Sequence, residues 1–230
     1  MERYTLFYGL SADPVHQGHV DVVVGAVDTL IRRNYNIVQV ILVPVYRRNP
    51  VGRNLKNDLP ATYERRFTMC ELAVEEIVKR LEGKQCQVKV SRIAEELAKR
   101  SNGPNFEVDT LLALQTGEAA GTRIISLICA DIVSGDHPEL GRWHKTERLV
   151  QLATIAIGRR HGYQLNEAFL KDLEQKGARF IRLDELTAVD TAGTVIRERL
   201  RKGEDPIVLG QEGLLPLSVA QYLHGDFVQR

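Results

Sequence analysis

Cysteine, tryptophan and any surplus of charge are all scarce in this chain. Its three cysteines, Cys70, Cys86 and Cys129, are an odd number and show no C-x-x-C spacing. That argues against a disulfide framework or a cysteine zinc site and points to a reducing compartment. Lys and Arg total 31 against 30 Asp and Glu, a formal net charge of +1. Such a balance supplies no broad field for nucleic acid or a membrane surface, so any anion binding must be local. No apolar stretch is long enough to cross a bilayer. Met1-Glu2-Arg3-Tyr4 runs straight into a strand pattern without a signal-peptide layout, and a cytoplasmic location is expected. Internal repeats, low-complexity tracts and composition breaks are missing too. With 43% hydrophobic and 27% charged residues, one domain over 1–230 is expected, ending in a helical portion from about 190.

What is present alternates. Apolar runs rich in β-branched residues exchange with helical patterns, the signature of a parallel sheet built from βαβ units. Strands are expected near 4–9, 37–43, 87–91, 124–129, 153–158 and 179–182. Helices are expected over 17–33, 61–82, 108–117, 145–151, 166–176, 192–202 and 216–224, and irregular segments over 44–60, 99–106 and 133–142. The fold class is therefore α/β, a Rossmann-like parallel sheet with helices on both faces. Ligands bind such sheets outside the carboxyl ends of the strands, where strand order reverses. Basic residues cluster at Arg47, Arg48, Arg53, Lys56, Arg65 and Arg66, where a solvated loop accounts for most of them.

The most informative segment is 9–19, Gly-Leu-Ser-Ala-Asp-Pro-Val-His-Gln-Gly-His. Gly9 lets the chain leave a buried strand and approach a ligand closely. Asp13-Pro14 reads as an N-cap followed by proline in the first helical turn. A helix starting there aims its free N–H groups and positive dipole end at the turn, which favours an anion. His16 and His19, three apart, share a helix face, and imidazolium donors there would stabilise charge building on phosphate oxygens. The competing readings are an ordinary partly buried histidine and half of a metal site, for which no further His or Cys cluster lies nearby.

The segment resembles the signature G-[GS]-[ST]-F-D-P-x-H-x-G-H of the nucleotidyltransferase superfamily, as in the nicotinate/nicotinamide mononucleotide adenylyltransferases. Gly9, Ser11, Asp13, Pro14, His16, Gly18 and His19 match, while Leu10 and Ala12 depart. The resemblance implies the nucleotidyltransferase fold, with His16 and His19 on the ATP phosphates and Gly9, Leu10, Ser11 and Gly18 lining the nucleotide site. It continues along the chain. Arg66, Met69, Leu72 and Ala73 match an H-R-x-x-M-x-x-L-A helix, although core packing explains its apolar members and Arg66 reads equally as a helix-surface charge. The family's P-P-H-K stretch is missing, and Lys56 or Arg48 is left to serve the phosphates. Phe106 to Leu111 is similar to Y-T-x-x-T-L beside the pyridine ring, with Thr110 matching and Glu107 in place of a threonine. A carboxylate there would repel a nicotinate carboxylate. Cys129-Ala130-Asp131 resembles the G-A-D that touches the adenosine ribose; a helix cap is the other reading of Asp131. Trp143, set among Arg142, His144 and Lys145, reads as an exposed edge that stacks on the pyridine ring, and Arg160 matches R-x-G. Ala192-Gly193-Thr194-Val195-Ile196-Arg197 is similar to S-S-T-x-I-R, which binds the distal phosphates. Gly193, Thr194 and Arg197 are assigned there, two serine hydroxyls having been lost.

The resemblance implies adenylyl transfer from ATP to nicotinate or nicotinamide mononucleotide, with Mg²⁺ accompanying the nucleotide and pyrophosphate leaving. His16, His19 and Arg197 would be catalytic, and Thr110, Trp143 and Arg160 would meet the mononucleotide. Expected partners are ATP and the pyridine mononucleotide, without nucleic acid or membrane, and a homo-oligomer is compatible with the sequence. The alternatives are a phosphopantetheine or cytidylyl transferase of the same superfamily and a catalytically weakened nucleotide sensor.

Overall fold

The apolar β-branched runs form the strands of one six-stranded parallel sheet, in the order β3-β2-β1-β4-β5-β6. They are β1 (Arg3–Leu10), β2 (Asn36–Pro44), β3 (Gln87–Val90), β4 (Arg123–Cys129), β5 (Thr154–Gly158) and β6 (Phe180–Leu183). Every strand end lies within one residue of the sequence expectation. The computed structural model describes residues 2–46, 61–103, 105–186 and 192–227. Arg48 and Lys56, the two candidates for the phosphate cation, lie outside the described residues, as do Arg47, Arg53, Asp190 and Thr191.

The described helices are α1 (Gln17–Arg32), α2 (Tyr63–Arg80), α3 (Ile93–Ser101), α4 (Glu107–Thr116), α5 (Thr146–Leu152), α6 (Glu167–Gln175), α7 (Gly193–Arg201), α8 (Pro206–Gln211) and α9 (Leu217–Phe227). Among these, α3 and α8 were not expected. Two short 3-10 turns, Ala130–Val133 and Glu139–Arg142, follow β4. The sheet separates two cores. One packs α1 and α2 against Leu6, Tyr8, Val40 and Leu127, and it also takes in Ile196, Leu209 and Val219 from α7, α8 and α9. The other holds Val108, Leu111 and Leu114 of α4 with Leu149, Val150 and Leu170 against Phe7, Ile41 and Ile128. The β1–β4 pair therefore has α1 on one face and α4 on the other, and strand order reverses between them, the place where such sheets form a crevice at their carboxyl ends.

One local expectation is corrected. Asp13-Pro14 does not start α1: the peptide between them is cis, Ala12 ahead of it has φ of 56°, and the helix begins at Gln17 with His16 as its N-cap. The dipeptide belongs to the turn. The same pair of residue types does cap a helix at 205–206, where Asp205 Oδ1 accepts from Ile207 N at 2.9 Å with Pro206 in the first helical turn.

Candidate active site

The chain leaves β1 at Gly9 and Leu10, crosses the turn 11–15, and enters α1 through His16. At that corner the two imidazoles lie face to face, with ring centroids 3.7 Å apart and planes inclined at 34°. His16 N donates to His19 Nδ1 at 3.1 Å, so the second ring caps the helix start. Because Nδ1 accepts that bond, the neutral ring carries its proton on Nε2 and offers a donor there. His16 is buried and its Nδ1 has no partner among the described residues. Tyr8, in the strand below, completes the cluster with its ring centroid 6.2 Å from that of His19.

Both histidines are held neutral. Burial lowers His19 from 6.5 to about 4, helped by the Arg160 guanidinium. Burial takes His16 well below the usual range, with further contributions from His19, Arg160 and Arg197. The expected imidazolium donors are thus neutral N–H donors. An arriving polyphosphate would reverse that balance, since an anion beside the rings favours their charged form. A stability consequence follows. The unfolded chain binds a proton at each of these positions below 6.5 and the folded one does not, so their contribution is full above pH 6.5. It falls away as pH drops through about 4, by at most about 3 kcal/mol for the half-buried His19. In His19→Asn the unfolding free energy should vary less with pH between 6.5 and 4 than in the unaltered protein, measured by denaturant titration at each pH. Parallel profiles would contradict the assignment.

Three cations converge on the corner. Arg197 of α7 donates from Nη1 to the Asp13 carbonyl at 2.5 Å. A methyl group on Gly193 would lie 3.0 Å from that Nη1 and 3.8 Å from His16 Cδ2, so glycine is what lets the α7 N-terminus abut the histidines. Thr194, beside it, is exposed. Arg160, following β5, pairs with Asp131 in the turn after β4 at 2.7 Å, while the other oxygen of Asp131 is buried without a partner among the described residues. Asp131 is therefore no helix cap. The third cation, Arg66, is 2% exposed and donates to the carbonyls of Ser11 at 3.0 Å, Val45 at 2.6 Å and Ala61 at 3.3 Å. A surface charge it is not: it ties the turn to the end of β2 and the start of α2.

On the opposite face of β1, Glu107 opens α4 and lies over Gly9, where an added Cβ would sit 3.1 Å from Glu107 Oε2. Burial raises its carboxyl to about 7. Phe106 stacks on His144 at 4.1 Å between centroids, joining the starts of α4 and α5. Thr110 is buried and its hydroxyl donates to Phe106 O at 3.2 Å, so it braces this turn and is not turned to the crevice. Trp143 is half-buried, short of the exposed edge expected, and lines an open cavity of about 550 Å³ with Gly141, Lys145 and Arg148. Leu10 and Gly18 are buried and Ser11 partly so. Thus His16, His19, Arg197, Gly193, Asp131 and Arg160 gather at one corner, Gly9 lies against Glu107 on the α4 face, and Thr110 and Trp143 stand apart. Tyr8 had no signal in the sequence beyond adjacency to the motif, and the bracing role of Arg66 had none beyond its match to the H-R-x-x-M-x-x-L-A helix.

No protein-family model matches the chain. Comparison with curated proteins finds a probable nicotinate-nucleotide adenylyltransferase of Stenotrophomonas maltophilia, 29% identical over 98% of this chain and 97% of that one. A protein of the same description from Baumannia cicadellinicola is 28% identical over 73% of this chain, which there spans 66% of the relative's length. Among solved structures, Plasmodium falciparum nicotinic acid mononucleotide adenylyltransferase complexed with NaAD superposes with a TM-score of 0.66 at 16% identity, covering 100% of both chains. Its complex with APC gives 0.65. The doubly wound sheet and the paired histidines at the first strand's exit accompany a similarity to proteins described as probable nicotinate-nucleotide adenylyltransferases, along nearly the whole length of the chain.

Proposed function

We propose that the chain adenylylates a pyridine mononucleotide, forming the dinucleotide of NAD biosynthesis. A phosphate oxygen of the mononucleotide attacks the α-phosphorus of ATP, the bond to the bridging oxygen breaks, and pyrophosphate leaves. The observation that carries this reading is the stacked, neutral His16–His19 pair facing Arg197 and the α7 N-terminus. Phosphoryl-type transfer asks a protein for positioning and charge stabilisation, with no covalent nucleophile, and the corner supplies that. His19, through Nε2, and His16 meet the triphosphate; Arg197, Gly193 and Thr194 hold its distal end. Asp131 turns its free oxygen to the ribose hydroxyls, with Arg160 holding the other. Mg²⁺ comes with ATP as part of the substrate, held by phosphate oxygens. No described helix is long and apolar enough to cross a membrane.

Pyrophosphate release from ATP, assayed side by side with nicotinate mononucleotide, nicotinamide mononucleotide and phosphopantetheine, tests the reading. Turnover with a pyridine mononucleotide is expected. Turnover with phosphopantetheine alone would move the chain to another branch, and ATP binding without any turnover would make it a sensor. Trp143→Ala should raise KM for the mononucleotide and leave that for ATP nearly unchanged; the opposite pattern would put the acceptor elsewhere.

A further inference from the structure

Stacking limits how much charge the histidine pair can carry. The ring centroids are 3.7 Å apart and the planes are inclined at 34°. Two imidazolium ions that close repel, so the rings titrate as one unit that accepts a first proton and resists a second. The first can sit on His16, whose Nδ1 has no partner to lose among the described residues. A second would have to land on His19 Nδ1, which accepts from His16 N at 3.1 Å, and would forfeit the bond that caps α1.

The groups around the pair set when the first proton arrives. Arg160, after β5, and Arg197, on α7, oppose charge on the rings. Arg160 is offset by Asp131 at 2.7 Å, whereas Arg197 donates to a neutral partner, the Asp13 carbonyl. Arg66 of α2 is committed to three carbonyls. Tyr8 of β1 and Cys129 at the end of β4 stay protonated, since burial pushes both up. Asp13 is buried in the turn ahead of α1. A triphosphate in this corner therefore brings more negative charge than Arg197 and the α7 N-terminus offset, and the stacked rings are where a compensating proton fits.

Resting on the adenylyl-transfer reading above, we propose that a triphosphate enters this corner together with one proton, which the stacked His16–His19 pair shares. The proton comes from solvent and returns to it when pyrophosphate leaves. The buried charge is then present only while phosphate oxygens are there to pair with it.

Calorimetric titration with α,β-methylene ATP tests this, because its carbon bridge blocks transfer. Excess Mg²⁺ keeps the analogue free of a proton of its own near neutral pH. Heats are compared in buffers of unlike ionisation enthalpy, and the slope counts protons. The unaltered protein should take up about one proton per analogue bound. Glu107, across β1 over Gly9, is the competing source, since burial raises it to about 7. Glu107→Gln should leave the count unchanged, and the double variant His16→Asn/His19→Asn should take up none. A count near zero or near two in the unaltered protein would overturn the proposal. So would uptake that survives the double variant or vanishes in Glu107→Gln. If the double variant does not fold or bind, the unaltered protein decides alone. Its Kd for the analogue should rise by up to about tenfold per pH unit above 6.5, where the pair without nucleotide is neutral. A Kd that stays within twofold over that range would overturn the proposal and leave the adenylyl-transfer reading intact. An analogue that does not bind the unaltered protein at all would remove both.

Discussion

His19→Ala lowers kcat for pyrophosphate release by two orders of magnitude or more. The ring is fixed before substrate arrives: its Nδ1 is engaged by His16 N, and its neighbours His16 and Tyr8 limit rotation. Nε2 therefore presents a preoriented donor at no cost of rearrangement when charge builds on the phosphate oxygens. Losing one such donor costs about 10²–10³ in rate. The residue is held neutral, lowered to about 4 by burial and Arg160, so its role as donor persists over the whole neutral range. The substitution also removes a helix cap, worth about 1 kcal/mol. That loss moves the melting temperature slightly and leaves the folded fraction at assay temperature unaffected. A variant with unchanged kcat would exclude His19 from the transition state; a changed KM for ATP with kcat intact would restrict it to ground-state binding.

The sheet was legible because burial on both faces leaves long β-branched runs such as Ile37 to Val43, while the valine-rich start of α1 is marked as helix by the turn and histidine motif ahead of it. The histidine corner was legible because a glycine exit and two histidines three apart form a contiguous pattern. What escaped depends on tertiary neighbours. Asp-Pro has the same local preferences at 13–14 and 205–206, yet only the second caps a helix. At the first, the turn is held by Arg66 and Arg197 from distant segments, contacts that no local rule contains. α3 carries Arg92 as its N-cap, with Ser91 Oγ accepting from Ile93 N at 3.1 Å, so its start had no ordinary cap signal at the right position. The neutral state of the histidines was inaccessible for the same reason: it arises from burial and from Arg160, more than a hundred residues away in sequence. The loss of a serine at 193 reads in sequence as a lost donor, whereas in the fold it makes room for α7 to reach His16.

Arg66→Ala should destabilise the protein by about 3 kcal/mol, since hydrogen bonds to a charged donor contribute about 1.5–3 kcal/mol each and partly exposed carbonyls regain some of that from water. For a chain of this size the melting temperature should fall by about 10 °C. The guanidinium is buried yet faces carbonyls of Ser11, Val45 and Ala61, which lie on three separate segments. A planar fork with five donors can serve all three at once, and an ammonium cannot. Arg66→Lys should therefore recover only part of the stability. Because Ser11 lies in the turn that sets the His16 ring, loosening it should also lower kcat at assay temperatures well below that at which the variant unfolds. Misplacement of about 1 Å costs roughly 10²-fold in rate. Arg66 touches no phosphate in this scheme, so KM for ATP should change less than kcat. If Arg66→Ala melted with the unaltered protein, the three carbonyls would have to be satisfied by water alone, and the turn would owe its shape to Arg197 and the Gly193 contact instead.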